Sequence, residues 1–180
     1  MDERKRRAVI LGLVFLFFLA VAYVENTSFF VYIRDSFSNP PLAVVLVFIH
    51  NVLAISLIIL GMAFYVEIVL SFMPKRKIEY VVLQNPEVFA VVFAVMIILI
   101  SVLRSSTLVR GQVDINTLAF VVLLSLPAGL VEGYGIFQAI KKTLKKALTM
   151  RDLALIYLIF LTAAVVEVGF VQVLLWASAR

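Results

Sequence analysis

Five stretches of this sequence are long and almost purely apolar: Ala8 to Val24, Leu42 to about Val66, Val88 to Leu103, Leu118 to Ala139, and Leu153 to Trp176. A bilayer core of about 30 Å takes roughly 20 such residues per helix. A helix is also how a single apolar stretch satisfies its own backbone in lipid. The expected fold class is therefore all-α, a polytopic membrane protein with a bundle of five transmembrane helices in one integral membrane domain. The spans fall at about 8–24, 42–72, 87–104, 117–139 and 152–176. At 64% hydrophobic and 15% charged residues, the composition lies far from that of a soluble domain.

The basic residues give an orientation. Twelve of the sixteen Lys and Arg fall on one side of the expected membrane, at 4–7, 75–77, 141, 142, 145, 146 and 151. Arg34, Arg104, Arg110 and Arg180 fall on the other. The positive-inside rule then puts the N-terminus in the cytoplasm, the C-terminus outside, and the chain in the cell membrane. The first stretch follows a basic run and contains Ala20-Val21-Ala22, as a signal peptide would, but it is read as a retained first helix. The net charge of +5 does not imply nucleic acid, because the charges sit at helix ends.

Asn39-Pro40 and Asn85-Pro86 look like helix starts, with Glu87 at the positive end of a helix dipole. Thr149 and Asp152 resemble a capping box. Between helices one and two, Glu25 to Pro41 mixes aromatic and polar residues and is expected to lie as a loop on the membrane surface. Helix two is longer than a bilayer needs. It must tilt, break near Gly61, or project past the membrane with Glu67 at the interface.

Four polar residues stand inside the spans: His50, Asn51, Glu132 and Glu167. A charge at the bilayer centre costs several kcal/mol, so such residues turn toward other helices and find partners there. Counting rise per residue from the helix ends sets His50, Asn51 and Glu167 in an outer layer and Glu132 in an inner one. Helix four carries Ser125, Gly129 and Gly133 at four-residue spacing, a stripe that lets a neighbouring backbone come close, and Gly61 has a similar packing role in helix two. Pro127 frees the Leu123 carbonyl, for which Asn51 or His50 is the expected donor. Lys141, Lys142, Lys145 and Lys146 share a helix face suited to anionic lipid headgroups.

No catalytic or cofactor motif occurs, and without cysteine there are no disulfides or thiolate metal sites. One histidine and scattered glutamates make a poor metal centre. No catalytic residue, cofactor or metal is expected.

The run Pro127-Ala128-Gly129-Leu130-Val131-Glu132 resembles the Pro-His-Gly-x-x-Glu signature of the stage II sporulation protein M family. His50-Asn51 with Gly61 resembles that family's Asn-Asn helix, and Glu167 its late glutamate. Ala128 and His50 depart from the pattern. The resemblance implies a non-enzymatic membrane scaffold or assembly component. Such a chain is expected to form a homodimer and to meet membrane or cytoplasmic partners, including an ATPase. The alternative is a transporter or permease subunit that uses Glu132 and Glu167 to bind protons or substrate.

Overall fold

The computed structural model of the chain describes residues 3–72, 77–110 and 115–178; the side chains of 77–79 and 101–125, among others, lie outside that description. Lys75, Arg76, Gly111, Asp114 and Arg180 are outside it altogether, as is the side chain of Ser125. Six helices follow one another: α1 (Glu3–Ser36), α2 (Pro40–Phe72), α3 (Lys77–Gln84), α4 (Pro86–Arg110), α5 (Ile115–Leu144) and α6 (Met150–Ser178). There is no strand among the described residues. Among the described residues three segments are long and apolar enough to cross a membrane, namely Lys5–Phe29, Pro40–Phe72 and Met150–Val173, and α4 holds a shorter one, Pro86–Ile100.

The first helix departs from the expected 8–24 span. It runs on through what was read as an aromatic surface loop, and only Phe37 to Asn39 separate it from α2. No Pro or Gly interrupts it between Ala22 and Ser36. Its hydroxyls are absorbed by the helix itself: Thr27 Oγ1 donates to the Tyr23 carbonyl at 2.9 Å, and Ser36 Oγ to that of Tyr32 at 2.8 Å. Phe29, Ile33 and Phe37 pack inward on a small core of Ala43, Val47, Ala164 and Val168. Phe29 and Phe37, which looked like part of a membrane-surface patch, instead tie this segment to α2 and α6, while Tyr32 stays exposed.

Helix α2 is continuous through Gly61, with no break there. At 1.5 Å per residue its 33 residues span about 50 Å, so it overshoots a bilayer core. Asn39 accepts from the Leu42 amide at 3.4 Å and begins the helix as its residue type suggests. Asn85 acts backwards, its side-chain amide donating to the Val81 carbonyl of α3.

Helices α2 and α5 are the inner pair. Helix α1 packs mainly on α2, α4 mainly on α5, and α6 on both inner helices. The main core joins Ile55 and Val66 of α2, Ala90 and Ala94 of α4, Ile136, Ala139 and Ile140 of α5, and Ile156 and Phe160 of α6. Small residues bring α5 close to its neighbours on two sides. A Cβ added at Gly133 would stand 2.5 Å from Cδ1 of Ile98 on α4. One at Gly135 would stand 2.9 Å from Cε2 of Phe160 and 3.2 Å from Cγ2 of Ile159 on α6. Gly61 works the same way toward α1, where its Cβ would meet Phe15 at 3.1 Å. Gly135 was not singled out from sequence, yet its crowding is the harder to relieve, because the buried Phe160 ring has nowhere to go. Gly135→Ala is expected to destabilise the bundle by about 1–3 kcal/mol through overpacking. Gly129→Ala, whose Cβ would find only an ordinary contact at 3.8 Å, should be neutral or slightly stabilising, the helix losing a residue of poor propensity. Thermal unfolding of the two variants in detergent micelles checks the contrast.

Candidate functional site

Between α2, α5 and α6 lies the cluster named from sequence, though not in the layers expected. Asn51 Nδ2 donates to Glu132 Oε1 at 2.9 Å, so the carboxylate of α5 is answered by the amide of α2. Depth counted from helix ends had separated them on the assumption that the two helices start at one level; Glu132 lies further from the start of α5 at Ile115 than Asn51 does from the start of α2 at Pro40, so their pairing staggers the helices along their axes. Glu167 is near enough for its charge to act on Glu132. Its position is unusual: Ile156, Phe160, Ala163, Ala164 and Val168 form the buried arc of α6. At about 100° per residue Glu167 falls inside that arc, yet it is exposed. It therefore stands at the inward angle of α6 without being covered there, while Glu132 is half-buried.

His50 is drawn to a different helix. Its Nδ1 meets both carboxylate oxygens of Glu25 at 3.0 and 3.2 Å, and its ring stacks on Phe29 with centroids 4.2 Å apart at 13°. Glu25 and Phe29 are one turn apart on α1 and form a seat for the imidazole. They escaped the sequence reading because α1 was ended at Val24. The partners seen for Asn51 and His50 are thus Glu132 and Glu25; the expected bond to the Leu123 carbonyl beside Pro127 lies outside the described contacts. Pro127 itself is exposed inside a continuous α5. One turn below Asn51, Ser56 and Tyr157 share a 2.8 Å hydrogen bond between α2 and α6.

The four lysines at the end of α5 also find protein partners. Lys141 and Lys145 both reach Glu87 Oε1, at 3.0 and 2.8 Å; Lys146 reaches Glu67 at 3.0 Å; Lys142 pairs with Asp152. Spacing of four residues gives two strips, so one helix end holds carboxylates of α2, α4 and α6 at once. The headgroup-facing role read from sequence overlooked these acids, which stand 58 and 79 residues away for Lys145 and Lys146.

The turn beneath is built to match. Ala147 N–H donates to the Lys142 carbonyl at 2.9 Å and Lys146 N–H to that of Thr143 at 3.0 Å, with Lys146 at φ 53°. These are the two bonds of a Schellman cap, here with lysine where glycine is usual. Then α6 starts with the capping box read from sequence: Asp152 N–H donates to Thr149 Oγ1 at 3.2 Å, and Thr149 N–H to Asp152 Oδ2 at 3.1 Å.

Among the described residues no three potential metal ligands come together. The fold and these contacts define a membrane-embedded helical bundle with interhelical polar pairs at several depths. Compared with family models, curated proteins and solved structures, the chain matches none of them.

Glu87 stands exposed in the first turn of α4, at the very end of its apolar segment and just before the unbroken apolar run that begins at Val88. Hydrogen bonds and charge from Lys145 and Lys141 lower its pKa from 4.5 to about 2. A carboxylate lowered on folding contributes stability that is present above its unfolded pKa and disappears as pH falls through its folded one. The melting temperature of Glu87→Gln should lie slightly below that of the unaltered chain at neutral pH. The gap should close as pH falls from about 4.5 to about 2, and it should be small at any pH, because the pair is exposed to solvent.

Proposed function

We propose that this chain is a non-enzymatic scaffold or assembly component of the cell membrane. In this reading α1, α2, α4, α5 and α6 all cross the bilayer, with α3 lying at its surface. The lysine-rich end faces the cytoplasm and the C-terminus lies outside, as the distribution of basic residues favours. The chain works as a homodimer and offers its cytoplasmic segments to protein partners, an ATPase among them. The motif around Pro127 and Glu132 is similar to that of the stage II sporulation protein M family, whose members the reading follows.

The observation that carries this proposal is how the polar groups are spent. Asn51 bonds to Glu132, His50 to Glu25, Ser56 to Tyr157, and Gln172 Nε2 to the Phe37 carbonyl at 2.6 Å. Each of these contacts joins different helices or a helix to a turn. Groups used in this way fix register, as a framework requires, and leave little to perform chemistry.

A transporter or permease subunit is the second reading, and one feature favours it: Glu167 points inward and is nevertheless accessible, beside a second carboxylate. Two neighbouring acids within a membrane-embedded bundle are suited to exchanging protons. The two readings part in the double variant Glu132→Gln/Glu167→Gln, which keeps shape and hydrogen bonding but cannot titrate. For a scaffold, oligomeric state and partner recruitment should be unchanged, with stability altered by less than about 1 kcal/mol. Loss of a proton-dependent flux in proteoliposomes, with assembly intact, would replace the scaffold by the transporter.

A further inference from the structure

At the lysine-rich end a groove of about 220 Å³ opens between α1, α2 and the last turn of α5. Leu11, Ile59, Ala63 and Val66 give it apolar walls, and Glu67 and Lys146 stand in it as an ion pair 3.0 Å apart. Its volume is below the 300–1,000 Å³ usual for compact small-molecule ligands, so it suits a length of one chain. Water finds partners at Glu67 and Lys146 but not along the apolar walls beyond them, since a buried water needs two to four polar partners. In a membrane, the molecule at hand to fill an apolar groove near the ends of the helices is a phospholipid.

The charges select among phospholipids. Lys146 is fixed by its cap at φ 53° and is half exposed, and the pair uses one of its three N–H groups and one oxygen of Glu67. A phosphate and an ammonium on the same headgroup could extend this pair, phosphate toward Lys146 and ammonium toward Glu67. A headgroup with phosphate alone meets the Glu67 carboxylate as a like charge. We propose that the groove is a binding site for a zwitterionic phospholipid of the phosphatidylethanolamine class, its acyl chain along Ile59, Ala63 and Val66 and its head on the Glu67–Lys146 pair. This site is separate from the Asn51–Glu132–Glu167 cluster and does not depend on the scaffold reading.

The test uses the full chain purified in detergent and equilibrated with equal amounts of phosphatidylethanolamine and phosphatidylglycerol bearing identical acyl chains. Retained lipid is read by native mass spectrometry. The unaltered protein should retain the zwitterionic lipid about two- to fivefold over the anionic one, the range that a partly exposed ion pair supplies. Glu67→Gln should abolish or reverse that preference while leaving total retention in place. Ala63→Phe, which fills the groove, should remove the retained lipid. Equal retention of the two lipids by the unaltered protein, or a preference that survives Glu67→Gln, would overturn the proposal whether or not Ala63→Phe folds.

Discussion

Apolar helices gain little from one another in lipid, because the acyl chains are as apolar as the side chains they would replace. What holds such helices together is close backbone approach and a small number of polar bonds that lipid cannot offer. Helix α5 supplies both. Its glycines admit Ile98 on one side and Phe160 on the other, its carboxylate takes the amide of Asn51, and its lysines gather the acids of three helices. The bond between Asn51 and Glu132 is the member of this set on which the others lean, since it joins the two inner helices directly, within their apolar stretches.

The remaining contacts follow from that pairing. With α2 and α5 in register, Tyr157 of α6 comes within 2.8 Å of Ser56, and Ala164 and Val168 close against Ala43 and Val47 of α2. The basic end then becomes a rigid corner: the cap at Lys146, the box at Thr149 and the Lys142–Asp152 pair leave little freedom between α5 and α6. Helix α1 is more loosely built in. It rests mainly on α2, through the stack of Phe15 on Phe64, the fit of Gly12 against Phe64, and the Glu25–His50 contact.

Much of this was legible in the sequence where the signal is local. Pro40 and Pro86 begin helices, and Thr149 caps one. Apolar length shows a membrane-embedded bundle, with three helices clearly long enough to cross. Long-range pairing was harder to read. Thr27 and Ser28 look like loop residues, but hydroxyls can bond to the preceding turn, so α1 continues and brings Glu25 to His50. A run of lysines reads as solvated or lipid-facing, and only the folded arrangement shows Glu67 and Glu87 waiting for it. The layering of Glu132 and Asn51 failed because it let every helix start at one level, whereas α2 and α5 are staggered along their axes. The small-residue stripe was visible at Gly129 and Gly133, whereas Gly135 falls off the four-residue spacing and serves the other neighbour.

The coupling between Asn51 and Glu132, measured by a double-mutant cycle of Asn51→Ala and Glu132→Ala on unfolding free energy in bicelles, tests the account most directly. Interhelical hydrogen bonds in membranes contribute roughly 0.6–2 kcal/mol, and a coupling in that range is the expected result. Additive losses, with no coupling between the two positions, would contradict the claim that this bond holds the inner helices together.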